Sequence, residues 1–323
     1  HQSEFHYYEP NIEFYFKFKI IIFTQMKKIA VQTLLLSIFI FSCSESNNAS
    51  EATIEWLYSD EGKSVGAIYK TKWVNDQTLY LMDMRLPKED RNILKLDPQS
   101  PEKLNPLFDK QRLADNLMSI INRDDTTMYV DWPISFNSDG SYGLYLYEDD
   151  IFILDIKAAE FLRITSTASK EKSARFSPDG KKIAFIRDND LFTYSLNTKQ
   201  EKRLTYNGSE TLLNGTLSWV YWEEIFGRQD IGYWWSDDSK ALAFLQTDES
   251  SVTKMHYVHW KPAEPKLITQ RYPKAGTENP KVKLGVIEVN DSKIKWIKLE
   301  PFEYLCRIKW LPGNRRLSIQ TMN

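Results

Sequence analysis

Cysteine is nearly missing from this 323-residue chain: Cys43 and Cys306 are the only two, too few for a disulfide framework to hold the fold. An excess of charge of one sign is missing as well. Lys+Arg 42 against Asp+Glu 44 gives a formal net charge of -2, so there is no basic field of the kind nucleic acid demands, and a nucleic-acid partner is excluded. Histidine is scarce, and His256 and His259 in "HYVH" fall on opposite faces of a strand, which argues against metal ligation. No metal and no cofactor are expected. The pattern G-x-S-x-G occurs once, as "GKSVG" from Gly62, without the strand-to-helix setting of a nucleophile elbow, so no catalytic residue is expected within these residues.

Long hydrophobic runs are rare too, and the clearest has a reading of its own. From Met26 the chain reads "MKKIAVQTLLLSIFIFSCSESNNAS": two lysines, an apolar run from Ile29 to Phe41, small residues around Cys43, then a polar stretch. That order is a basic region, a core too short to span a bilayer comfortably and a processing site, the pattern of a secretory signal. "IFSC" loosely resembles the lipobox of bacterial lipoproteins, which makes Cys43 the expected lipidation site and a membrane anchor an expected partner. An ordinary signal peptide with a coincidental Cys is the alternative. Residues 26–43 are thus expected to be signal and lipobox, residues 44–52 a tether, and residues 1–25 an out-of-gene or artefactual leader. The expected location is outside the inner membrane, periplasmic or as an outer-membrane or cell-surface lipoprotein.

The remaining residues, 53–323, are rich in aromatics, which lie in short alternating runs with Val, Ile and Thr and favour strands. Two stretches share one grammar. "FNSDGSYGLYLYEDDIFILDIKAAEFLRITS" from Phe136 and "FSPDGKKIAFIRDNDLFTYSLNTKQEKRLT" from Phe176 each run aromatic, polar turn at Asp-Gly, strand, turn, strand, turn, and a last strand closing on Arg and Thr. Asp139-Gly140 and Asp179-Gly180 are about 40 residues apart, the period of a four-stranded propeller blade. Weaker copies begin near Trp73, Trp234 and Trp310. One blade cannot bury both faces of its sheet, so such repeats stack. The fold class is therefore all-β, a partial β-propeller with about five blades present; a β-sandwich is the structural alternative. The last repeat has room for one strand before Asn323, so a truncated propeller is expected.

The repeat spacing is irregular at one place. The step from Phe176 to Trp235 overshoots the blade period by roughly 20 residues, and the surplus holds "WVYWEEIFGR", Trp219 to Arg228. Here Glu223 and Glu224 sit side by side among large aromatics. Ser218 is the expected N-cap of a short helix and Gly227 its stop. Buried in an apolar setting, two carboxylates call for a cation. Arg228 or Lys240 would be an internal one; an ammonium group on a ligand would be an external one. Pattern alone leaves both open.

Here the chain resembles a known family. "LSWVYWEEIFGRQDIGYWWSDDSKALAFLQTDESSV" followed by "RYPKAGTENPKVKLGVIEV" is similar to the dipeptidyl peptidase IV family of the prolyl oligopeptidase superfamily, which carries W-V-Y-x-E-E-x-F, W-W-S-x-D and Y-P-K-A-G-x-x-N-P in this order. The resemblance covers at least Trp73 to the end. It implies the N-terminal part of an eight-bladed propeller, with the α/β-hydrolase domain and its Ser-Asp-His triad missing from this chain. It also implies a serine peptidase that removes Xaa-Pro or Xaa-Ala dipeptides from peptides with a free N-terminus. Carried over by motif, Glu223 and Glu224 clamp the substrate's N-terminal ammonium, and the propeller gates access. Trp222 departs from the acidic or polar residue often found there. The family also uses an arginine near the substrate carbonyl, for which Arg123 and Arg163 are candidates by position alone. Tyr272 to Pro280 read as a rigid turn, Pro fixing φ and Gly permitting the bend. A homodimer is the protein partner that the resemblance allows for. A non-catalytic binding or scaffold propeller of the periplasm, TolB-like or an inactive relative, remains the alternative function.

Overall fold

The computed structural model describes residues 53–75, 78–101, 103–123, 129–313 and 315–323; the segments expected to be leader, signal and tether, with Cys43, lie outside them. The described residues divide after Gly62 into two units. In the first, helix α1 (Ile54–Tyr58) starts at Thr53, whose Oγ1 accepts the Trp56 N–H at 3.1 Å, and α2 (Asp60–Val65) begins there.

The second unit is a succession of antiparallel sheets. The first holds β1 (Tyr69–Asn75), β2 (Thr78–Asp83), β3 (Leu94–Leu96) and β4 (Leu104–Pro106). Helix α3 (Lys110–Ile121) follows, capped by Asp109 and burying Leu113, Leu117 and Ile121. The second sheet is β5 (Ser135–Phe136), β6 (Tyr142–Tyr147), β7 (Asp150–Asp155) and β8 (Glu160–Arg163). The third is β9 (Glu171–Phe176), β10 (Lys182–Arg187), β11 (Asp190–Ser195) and β12 (Gln200–Arg203). The fourth opens with β13 (Leu212–Asn214), β14 (Tyr233–Trp235) and β15 (Ala241–Asp248). A separate hairpin, β16 (Lys254–His259) and β17 (Lys266–Arg271), precedes its last strands, β18 (Lys281–Glu288) and β19 (Ile294–Trp296). Strands β20 (Tyr304–Leu311) and β21 (Arg316–Met322) open a fifth sheet. This is the all-β partial propeller that the repeat spacing predicts.

The strands explain the stacking. Side chains alternate across a strand, and here both faces are apolar. On β7, Phe152 and Leu154 join a cluster with Met82 of β2 and Leu113 and Leu117 of α3, while Ile151 and Ile153 join one with Ile183 and Phe185 of β10. On β10, Ala184 and Ile186 face the next cluster with Leu242 and Phe244 of β15. Ala241, Ala243 and Leu245 then face Leu305, Ile308 and Trp310 of β20. Every sheet is thus cemented to its neighbours, each fully buried Phe or Leu contributing roughly 1.5–3 kcal/mol.

The Arg and Thr that end each repeat act as a latch. Arg203 donates to Asp190 at 2.5 Å and Thr205 Oγ1 accepts the Leu191 N–H at 2.9 Å. Arg163, Asp150, Thr165 and Ile151 repeat the arrangement one sheet earlier. The turn chemistry also repeats: the Asp139, Asp179 and Asp238 carboxylates accept the N–H of Ser141, Lys181 and Lys240 at 2.9, 3.1 and 3.1 Å. The residue between takes positive φ, 71° at Gly140, 70° at Gly180 and 58° at Ser239, so serine fills the glycine position in the third copy.

These turns make stability depend on acid. Hydrogen bonds from Ser141 hold the Asp139 carboxyl below its ordinary value, and those from Ser236 do the same for Asp238. At Asp179 burial pushes upward, but the Ser177 hydroxyl and Lys181 N–H outweigh it. The Arg85 guanidinium draws Asp83 down to about 2. A carboxyl lowered in the folded state stabilises above its unfolded value and loses that contribution as pH falls through its folded value. The thermal midpoint is therefore expected to fall as pH drops from about 4 towards 2, and Asp179→Asn is expected to flatten part of that limb in a pH series of melts. An unchanged acid limb would exclude Asp179 as a contributor.

Candidate functional site

The surplus between the third and fourth repeats is an excursion from the middle of one strand position. β13 pairs with the far end of β15, Asn214 opposite Gln246, and β14 with its near end, Tyr233 opposite Phe244. Residues 215–232 leave between them and return. Gly232 donates to the Gly215 carbonyl at 2.9 Å, Gly215 donates to the Leu245 carbonyl and Leu245 to the Gly232 carbonyl, both at 2.8 Å. Side chains do not fit at this neck: Gly215 has φ +74°, and a Cβ on Gly232 would come 2.8 Å from Leu217 Cδ2.

Asp230 fastens the returning limb. Its carboxylate accepts the Thr216 hydroxyl and the Leu217 N–H, both at 2.7 Å, and the Lys172 ammonium at 3.2 Å; its carbonyl accepts the Ser173 hydroxyl at 2.5 Å. Lys172 and Ser173 belong to β9 of the preceding sheet, at an irregularity where Ser173 takes φ 58°. Sequence reasoning missed Asp230, and nothing local to it signals the partnership.

The tip is a single wide turn, Val220–Ile225, with π-type hydrogen bonding: the Phe226 N–H reaches the Tyr221 carbonyl at 2.8 Å. The expected Ser218 hydroxyl cap is not formed. Trp219 takes the cap position without a side-chain bond, the Ser218 carbonyl accepts from Tyr221 and Trp222 at 3.1 and 3.0 Å, and the Ser218 hydroxyl is buried with no hydrogen bond among the described residues. The wide turn draws on the backbone carbonyl and leaves the hydroxyl unused. Gly227, φ +63°, ends the turn as expected.

Aromatic packing fixes this turn on its underside. Tyr221 is 1% exposed, accepts the Leu305 N–H at 3.2 Å, and has its hydroxyl pushed up to about 12 by burial. Arg307 donates to the Ile225 carbonyl at 2.8 Å. Trp219 meets Tyr272 at 4.6 Å between ring centroids, so the Tyr272 to Pro280 segment, a turn as expected with Gly276 at φ +84°, also buttresses the glutamate turn.

Glu223 and Glu224 stand on that turn, and their setting differs from the expected buried pair. Glu223 is half-buried and Glu224 exposed, because the aromatics pack beneath the turn and leave its outer side to solvent. Arg228 Nε donates to Glu223 Oε1 at 2.9 Å, realising one of the two expected internal partners; Lys240 pairs with neither glutamate among the described residues. Glu224 makes no ion pair or hydrogen bond among them. Arg163 is committed to Asp150 and Arg123 pairs with Glu148 at 2.6 Å, so both candidate arginines are engaged away from this turn. His256 bonds Thr269 at 2.8 Å on the β16–β17 hairpin.

A family model described as the dipeptidyl peptidase IV (DPP IV) N-terminal region matches residues 134–323. The chain is 33% identical over 163 residues to dipeptidyl peptidase 4 of Trichophyton rubrum, a match covering 48% of this chain and 21% of the relative. It is 33% identical over 180 residues to dipeptidyl aminopeptidase B of Saccharomyces cerevisiae, covering 53% and 21%. Among solved structures, Porphyromonas gingivalis dipeptidyl peptidase 4 superposes with a TM-score of 0.62 at 25% identity, over 80% of this chain and 36% of that one. A Bacteroides ovatus chain at TM-score 0.57 and 19% identity, over 78% and 33%, shares the fold. The chain matches about a fifth of the length of these curated relatives.

Proposed function

The chain belongs to the dipeptidyl peptidase IV N-terminal region family, and from that premise we propose that it is the substrate-reading propeller portion of a serine exopeptidase that removes Xaa-Pro or Xaa-Ala dipeptides. In this reading Glu223 and Glu224 bind the ammonium of a peptide's free N-terminus, and the propeller controls access to the cutting site. The observation that carries it is the presentation of the two glutamates: a strand is interrupted, its neck fastened by Asp230, and the intervening turn held from below by Tyr221 and Trp219, leaving two adjacent carboxylates on the outer side.

The chemistry suits a cation of one kind. An ammonium offers three donors to carboxylate oxygens, and each charge-assisted bond strengthens as a bound peptide displaces water. An N-acetylated peptide has lost that charge and would cover two carboxylates while pairing neither. The penalty is of the order of several kcal/mol, which is how the site would distinguish a chain end from a chain interior.

The test is titration of the full-length protein with an Ala-Pro peptide amide and its N-acetylated twin. Acetylation is expected to weaken binding by at least about a hundredfold, roughly 2.7 kcal/mol. Equal affinities would remove the ammonium reading and leave a propeller that binds by other means.

A further inference from the structure

Arg228 sits where the family reading would put a ligand. Its Nε lies 2.9 Å from Glu223 Oε1, yet its side chain is 80% exposed against 22% for Glu223. Its remaining guanidinium donors make no hydrogen bond among the described residues. The backbone beneath it is anchored, the Arg228 N–H donating to the Trp222 carbonyl at 2.7 Å, while Gly227 at φ +63° and Arg228 at φ 64° turn the chain outward. Two residues later Asp230 is tied by four contacts. The backbone is thus fixed on both sides, by the wide turn and by the Asp230 clasp, and it is the solvated Arg228 side chain that is free to swing away.

We propose that Arg228 is an internal counter-ion for Glu223 that a ligand ammonium displaces, so that amine binding at this site is an exchange of cations. The proposal rests on the ammonium-binding reading of Glu223 and Glu224. Three charges are involved, two negative and one positive, so the free site carries one net negative charge. Glu223 is paired before the ligand arrives, and Glu224 has no partner among the described residues. An entering ammonium gains the Glu224 pair outright but gains the Glu223 pair only by releasing Arg228 to solvent. Exposed ion pairs are weak, so the release is easy, and the exchange lowers affinity without blocking the site. It also discriminates: a ligand lacking a positive charge cannot replace the guanidinium.

The proposal predicts both a magnitude and a salt signature. In the full-length protein, Arg228→Gln is expected to tighten binding of a free-amine Ala-Pro peptide amide by about two- to fivefold at low salt, the weight of one exposed ion pair. Binding to the variant is also expected to be steeper in salt, because it forms two new ion pairs where the unaltered protein forms one and swaps another. Glu224→Gln serves as the control. If Glu224→Gln does not weaken binding, the ammonium reading falls and the exchange with it. If Glu224→Gln weakens binding while Arg228→Gln leaves affinity unchanged, the exchange alone is overturned. If Arg228→Gln weakens binding, Arg228 is instead a direct contact of the ligand, and the exchange is again overturned.

Discussion

Replacing Arg187 by Met in the full-length protein is expected to destabilise the propeller portion by about 3–5 kcal/mol, or about 6 °C or more in its melting transition. Arg187 ends β10, where its Nε donates to Glu171 at 2.6 Å and its two terminal nitrogens reach Glu201 at 2.7 and 2.8 Å. Its guanidinium also lies over the Phe192 ring at 4.8 Å. Glu171 has a fully buried side chain, and its Oε2 has no hydrogen bond among the described residues. Without Arg187 that carboxylate is left with the Thr167 hydroxyl at 2.9 Å and the neighbouring Asp150 carboxyl, which offers no cation. Glu201 is more exposed and would turn to water, so the cost concentrates on Glu171.

The pH dependence gives this prediction a second edge. Burial pushes the Glu171 carboxyl above its ordinary value, although Arg187 and Thr167 pull the other way. A carboxyl raised in the folded state binds its proton more tightly folded than unfolded, so stability falls as pH rises from about 4.3 through the raised value. Removing Arg187 raises Glu171 further, and the deficit of Arg187→Met is therefore expected to be larger at neutral pH than near pH 5. Adding Glu171→Leu should recover much of the loss, since an apolar replacement of the whole pair removes the unpaired charge. Urea melts of the unaltered protein and the two variants at both pH values check this. A single-variant loss below about 1 kcal/mol would mean that Glu171 finds water instead.

The part of this fold that is legible in the amino-acid sequence is what each blade repeats locally. Asp139-Gly140 and Asp179-Gly180 recur because each blade turns its chain in the same way, and the Arg and Thr closing each repeat recur because each latches Asp150 or Asp190. Helix α3 has a local signature as well: Asp109 caps it, and Leu113, Leu117 and Ile121 fall four apart. It lies outside the 40-residue period, so the repeat does not reveal it. The site is legible only in part. Glu223 and Glu224 stand out by their aromatic company, yet that company lies under the turn, a consequence of the wide winding that propensity does not announce. Tyr272 is readable as part of a turn, but not as the ring that meets Trp219. Asp230 is invisible, because all its partners are distant along the chain, Thr216 and Leu217 across the neck and Lys172 and Ser173 on another sheet. Contacts that cross between blades depend on stacking geometry, and no local pattern encodes it.

Within the pair itself, Glu224 is expected to matter more than Glu223. Glu224→Gln in the full-length protein is expected to lower kcat/KM for a free-amine Ala-Pro anilide by at least about a hundredfold, roughly 2.7 kcal/mol of transition-state stabilisation. Glutamine keeps the length and the acceptor oxygen and removes only the charge, so the change isolates the charge-assisted part of the bond. Glu224 is the carboxylate with no partner among the described residues, so an ammonium there gains a full ion pair; Glu223 is already paired with Arg228, and Glu223→Gln should cost less. The loss should also reach kcat. Holding the chain end fixes which peptide bond lies over the nucleophile, and a substrate free to slide spends less time in the reactive register. An N-acetylated anilide, already poor with the unaltered protein, should lose little more on Glu224→Gln, because the interaction being removed was never formed. Near-normal turnover of the free-amine substrate by Glu224→Gln would take the clamp away from this turn, and equal losses on both substrates would point to damage to the turn in place of a lost ammonium contact.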